Sequence, residues 1–184
     1  MKKLQLALLM LCLIAIHTTS CKKDKSNVLP DETQEGNNIL AFLLDGRAWT
    51  SDGPYGLTMG SANKLNLSIR ASVGIQYIPN VNFNIKNTPI KTDTVYLLSS
   101  KSDLNFGEYC ESTMDGDTYH YFTNDKYTGS VTLTKFDTIN KIVSGRFSFK
   151  AKREISGSKD CKCDTVISIT DGRFDFKYVK EYGK

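Results

Sequence analysis

Residues 38–184 predict an all-β domain, a single antiparallel meander forming a β-sandwich or barrel-like body of about nine or ten strands. Three observations carry this. From Ile39 onward apolar residues recur with a period of two rather than 3.6. Gly, Asn, Asp and Pro punctuate the chain at short intervals. After Lys22 no stretch long enough for a globular helix carries a helical apolar stripe.

The strands follow in order. The run ILAFLLDG ends on Asp45-Gly46, a tight-turn pair, and RAWTSDG follows, so these two predict a hairpin. In KLNLSIRA, Leu65, Leu67 and Ile69 alternate with Asn66, Ser68 and Arg70. VNFNIKN repeats the pattern, with Val81, Phe83 and Ile85 inward. TDTVYLLSS, FGEYCES, DTYHYFTN and SVTLTKF are further short strands, and IVSGRFSFKA and TVISITDGRFDFKY close the chain. Mostly consecutive pairing is expected.

The last two strands echo one another. Ile142 to Lys150 and Ile169 to Lys177 both read I-x-x-G-R-F-x-F-K. Strand pleating sends Phe147 and Phe149 to one side and Arg146, Ser148 and Lys150 to the other, and Phe174 and Phe176 behave likewise. The two strands are expected to pair as a hairpin around the polar loop at 156–160. Gly145 and Gly172 then mark bulges or close backbone approach.

Three segments organise the chain: 1–20, 21–37 and the domain 38–184, a length that suits a single core. Residues 1–20 carry Lys2 and Lys3, an apolar run from Leu4 to Ile16 broken by Gln5, and small polar residues Thr18, Thr19 and Ser20. This is the three-part pattern of an export signal, and its apolar run is too short for a spanning helix, which needs about 20 residues. Residues 22–37 are rich in charge, Asn, Pro and Gly, and read as a flexible tether.

Charge and histidine content narrow the functions. The whole chain is +4; without Lys2 and Lys3 it holds 22 basic and 20 acidic residues, or +2. No basic stripe interleaved with aromatics appears, which argues against a nucleic-acid partner. Only His120 lies beyond the signal segment, so a multi-histidine metal site is excluded, and no cofactor is implied.

Cys110, Cys161 and Cys163 are candidates for one disulfide, from Cys110 to Cys161 or Cys163, because a bridge across a single residue is strained. A thiol site pairing Cys110 with His120 is the enzymatic alternative, and needs both within hydrogen-bond reach. Asp115-Gly116-Asp117 fails as a calcium loop, since Tyr119 takes the fifth position and His120 the sixth. Tyr119, Tyr121 and Tyr127, with Asn124 and Lys126 nearby, form a candidate binding patch for sugar or protein.

Several of these segments resemble known families. Thr18-Thr19-Ser20-Cys21 resembles the bacterial lipobox, with Thr18 where the motif has leucine. The resemblance implies cleavage before Cys21 and its lipidation, with several acyl chains for stable retention. Asp93-Thr94-Val95, Asp137-Thr138-Ile139 and Asp164-Thr165-Val166 resemble the O-glycosylation motif of Bacteroidota, making Thr94, Thr138 and Thr165 candidate acceptors. Phe42-x-x-Asp45-Gly46-x-x-Trp49, with GSVTLTKFDTINKIVSGRFSF and ITDGRFDF, resembles a group of small Bacteroidota envelope lipoproteins of unknown function. That likeness implies an all-β, envelope-anchored domain and brings no catalytic residues. The expected function is a non-catalytic binding or interaction module at the outer membrane, meeting a glycan or envelope protein. The alternative is a small hydrolase or thiol-redox protein using Cys110 and His120.

Overall fold

The computed structural model describes residues 28–51, 54–59, 64–71, 80–86, 90–103, 105–112, 116–154, 166–177 and 179–180. Cys21, Cys161, Cys163 and Thr165 lie outside the described residues. The domain is all-β and sandwich-like, and its sheet is not closed into a barrel. Twelve strands are described: β1 (Ile39–Leu44), β2 (Arg47–Thr50), β3 (Pro54–Met59), β4 (Lys64–Ala71), β5 (Asn80–Lys86) and β6 (Val95–Leu98), then β7 (Phe106–Ser112), β8 (Thr118–Phe122), β9 (Gly129–Asp137), β10 (Ile142–Arg153), β11 (Val166–Lys177) and β12 (Val179–Lys180). The only helical segment among the described residues is a 3₁₀ turn at Lys101–Asp103. No helix among them is long and apolar enough to cross a membrane.

The count exceeds the expected nine or ten because β3 and β12 have no clear sequence signal. β3 opens on Pro54 and holds Gly56, so its run does not alternate; β12 is a two-residue parallel bridge to β3. The order is β12-β3-β4-β5-β7-β8-β10-β11-β1-β2, with β6 and β9 attached beside β10. Consecutive pairing therefore breaks at several points: β2 and β3 stand at opposite ends of this order, β6 leaves its sequence neighbours to pair with β9, β8 pairs with β10, and β11 pairs with β1. β10 is long enough to take two partners on one side: Ile142 to Phe149 pair with β9, and Lys152 and Arg153 pair with β8.

The first hairpin forms as the turn residues require. Asp45 and Gly46 both have positive φ, 49° and 80°, the pattern of a two-residue turn whose twist matches the strands it joins. That turn sets Phe42 directly opposite Trp49, and their rings stack at 4.9 Å. The spacing F-x-x-D-G-x-x-W thus has a physical cause: it places two aromatic rings as one cross-strand pair.

The core lies between facing strands. Phe83 on β5 is fully buried and meets Phe147 at 5.0 Å, Phe149 at 6.2 Å and Phe174 at 6.3 Å. Phe42 meets Tyr109 edge-on at 6.3 Å. The echoed strands pair antiparallel with Arg146 opposite Arg173, Gly145 opposite Phe174 and Phe147 opposite Gly172. Each glycine makes room for the other strand's ring.

Residues 28–37 differ most from the expected tether. Asp175, on the outward side of β11, is only 1% exposed because this segment lies over it. Its carboxylate accepts from Thr33 Oγ1 at 2.6 Å, from the backbone N–H of Glu35, Gly36 and Asn37 at 2.9–3.0 Å, and from Ser144 Oγ at 2.7 Å. Arg173 Nη1 donates to Pro30 O at 2.8 Å, Lys135 Nζ to Gln34 O at 2.8 Å, and Arg146 Nε to Glu32 Oε2 at 2.6 Å. Polar composition allowed a solvated tether, but one buried carboxylate collects enough donors to hold the segment down. Gly36 is left-handed (φ 76°), and a Cβ there would meet Lys177 Cγ at 2.7 Å.

Candidate functional site

On β7, Gly107 and Tyr109 face the core, so Glu108 and Cys110 share the opposite face. Across β7–β8 the register partner of Cys110 is His120, and across β5–β7 the partner of Glu108 is Asn82. These four side chains form one polar row. Cys110 Sγ stands 3.9 Å from His120 Nε2, and His120 Nδ1 stands 2.7 Å from Glu108 Oε1. Asn82 Nδ2 donates to Glu108 Oε2 at 2.8 Å.

The row runs in order from amide to carboxylate to imidazole to sulfur. With Nδ1–H donating to the Glu108 carboxylate, the imidazole ring is oriented so that Nε2 is turned toward the sulfur. Asn82 fixes the carboxylate in turn. Phe122 stacks on His120 (interplanar 5°, centroids 6.1 Å), and Lys101 Nζ sits 3.2 Å over the Phe122 ring. The His120 side chain is 44% exposed and Glu108 15%, whereas Cys110 is 8% exposed. Asn80, the register partner of Cys110 on β5, has a buried Oδ1 with no hydrogen-bond partner among the described residues.

The structure brings Cys110 and His120 together, as the thiol alternative requires. It adds Glu108 and Asn82, which the sequence analysis did not single out. The signal for Glu108 was its i, i+2 spacing from Cys110, but Asn82 becomes a neighbour only through register. Among the described residues no group of three or more His, Cys, Asp and Glu side chains is arranged to hold a metal ion. The disulfide candidates Cys161 and Cys163 lie outside the described residues, so their pairing with Cys110 is not placed.

The tyrosines do not form one exposed patch. Tyr121 is a core residue, 2% exposed, with its hydroxyl 3.3 Å from Glu111 Oε1. Tyr119, two residues before it, packs against the same core with the Arg153 guanidinium 4.0 Å over its ring. Only Tyr127 lies off the core, half-buried beside Lys126. The reason is parity: Tyr119 and Tyr121 share the face that closes the sandwich, and His120 and Phe122 take the outer one. Of the candidate glycosylation threonines, Thr138 is exposed in the β9–β10 turn, and Thr94 is half-buried with Oγ1 donating to Thr92 O at 3.4 Å.

In that turn Asp137 Oδ2 accepts from Asn140 Nδ2 at 2.7 Å, and Oδ1 from the backbone N–H of Asn140 and Ile139 at 2.9 Å. These bonds hold its carboxyl below the ordinary range. At Asp175 burial pushes the carboxyl up, but the bonds from Thr33, Asn37, Ser144 and Gly36 together outweigh it, and the group is also held low. A recess of about 240 Å³ remains beside Asp175, lined by Thr33, Gln34, Thr134 and Arg173 among others. No family model, curated protein or solved structure matches this chain.

Proposed function

We propose that this chain is an exported lipoprotein, held at the outer membrane through a lipid on Cys21, whose β-domain is a non-catalytic interaction module of the cell envelope. The observation that carries the interaction role is β6. Among the described residues this four-residue strand pairs only with β9, and it turns Val95 (60% exposed) and Leu97 (70% exposed) to solvent. An edge strand with apolar side chains is a template for an added strand from a partner. The inward packing of Tyr119 and Tyr121 supports a protein partner over a glycan, since stacking on sugar needs accessible rings. The docking of Pro30 supports close tethering: the chain from Cys21 to Pro30 can span at most ~30 Å.

The test uses the full chain in its native envelope with a photoreactive residue at position 95. The expected result is a discrete adduct that Leu97→Lys abolishes while the protein stays folded. No adduct, or one indifferent to Leu97→Lys, would reject β6 as the interface. Separately, Cys21→Ser should move the protein from the membrane to the soluble fraction; retention in the membrane would reject the anchor.

A further inference from the structure

We propose that Cys110 is a thiol–disulfide exchange site that takes a low-molecular-weight disulfide, with His120 as its proton acceptor and Glu108 and Asn82 as positioning residues. This inference is independent of the interaction role of β6, which lies elsewhere on the fold. It rests on an ordered row: amide to carboxylate at 2.8 Å, carboxylate to imidazole at 2.7 Å and imidazole to sulfur at 3.9 Å. A polar outer face of a sheet does not need such an order, because solvated side chains satisfy themselves with water.

The chemistry follows from the atoms present. The Cys110 proton passes from Sγ to His120 Nε2, and the Glu108 carboxylate stabilises the imidazolium that forms. The thiolate attacks one sulfur of R–S–S–R. A Cys110–S–S–R bond forms as the R–S–S–R bond breaks, and the departing thiolate takes the proton back from Nε2 and leaves as R–SH. The incoming disulfide is the oxidant, and no other co-reactant is needed.

Two observations select this reaction over acyl transfer. A tetrahedral acyl intermediate needs N–H donors aimed at an oxyanion. The backbone around Cys110 is instead flanked by both β5 and β8, so its N–H groups belong to the sheet ladders. Disulfide exchange develops no oxyanion and needs only a proton for the leaving sulfur. The slight exposure of Cys110 favours a small disulfide over a protein one.

The charged groups facing the row come from four elements. Glu108 is on β7 and His120 on β8. Glu154, whose backbone N–H donates to His120 O, follows β10, and Lys101 bridges Glu154 and the Phe122 ring. Lys152 on β10 is the register partner of Phe122.

The experiment reacts the full chain with 2-hydroxyethyl disulfide from pH 5.5 to 9 and reads each cysteine separately by peptide mass spectrometry. An ordinary thiol of pKa about 8.5 loses ~100-fold or more in rate between pH 8.5 and 6. Cys110 is expected to lose less than ~10-fold over that range, and His120→Ala to restore the ordinary profile. Glu108→Gln, which keeps the side-chain shape, should lie between them, and it serves as the deciding variant if His120→Ala does not fold. Three results would overturn the proposal: an ordinary pH profile for wild-type Cys110, a profile unchanged in both variants, or recovery of native Cys110 in a permanent disulfide with Cys161 or Cys163.

Discussion

The ring of Phe174 occupies the space above Gly145 across the β10–β11 ladder, where a Cβ would come within 2.6 Å of it. Phe147 does the same for Gly172, also at 2.6 Å. The echo I-x-x-G-R-F-x-F-K is thus reciprocal packing, with each strand supplying the bulk that the other omits.

Gly145→Ala should therefore destabilise the domain by about 1–3 kcal/mol, the usual cost of overpacking a filled core. The added methyl would also lie 2.5 Å from Thr132 O, a backbone atom that cannot rotate away. Urea unfolding of the variant against wild type measures the difference, and a loss below ~0.5 kcal/mol would mean the sheet relaxes freely there.

Asp175→Asn should cost about 1.5–3 kcal/mol, since an amide cannot accept from so many donors around a charged acceptor. Because the folded carboxyl is held below its unfolded value of about 3.9, its stabilising contribution is complete above that pH and is lost as pH falls through the folded pKa. Wild type should thus lose stability on acidification below pH ~4 more steeply than the variant. In the variant, backbone amides of residues 35–37 should also lose hydrogen-exchange protection at neutral pH.

Phe83→Ala should cost about 3–5 kcal/mol, because the ring is fully buried among Phe147, Phe149 and Phe174 and no neighbour can fill its volume. Thermal unfolding of the variant gives the value.

The Lys101–Glu154 pair sits at 2.7 Å, but its side chains are 43% and 59% exposed. Glu154→Gln should change stability by less than ~1 kcal/mol, with the difference shrinking at high salt. A larger loss in denaturant titrations would show that the Lys101 position over Phe122 depends on the pair.

Much of the fold was legible because it is written in local rules. Asp45-Gly46 predicted its hairpin, and the Val81, Phe83, Ile85 alternation predicted which face is buried. β3 was not legible, since Pro54 and Gly56 hide its period. The face of β8 was ambiguous because both sides carry rings: Tyr119 and Tyr121 inward, His120 and Phe122 outward. The clamp on Asp175 was invisible for a different reason. Its donors are mostly backbone N–H groups about 140 residues away, and an amide hydrogen leaves no mark in a sequence. Cys110 and His120 were legible as types, but their approach needed the β7–β8 register.

The reciprocal glycine–ring pairing also guards strand alignment. A two-residue slip is the smallest that keeps the same side chains inside. In one direction it would set Gly145 against Gly172 and open a gap; in the other it would jam Phe147 against Phe174. Either slip also carries Ser144 away from Asp175, so the hairpin has a mechanical key on its inner face and an electrostatic one on its outer face.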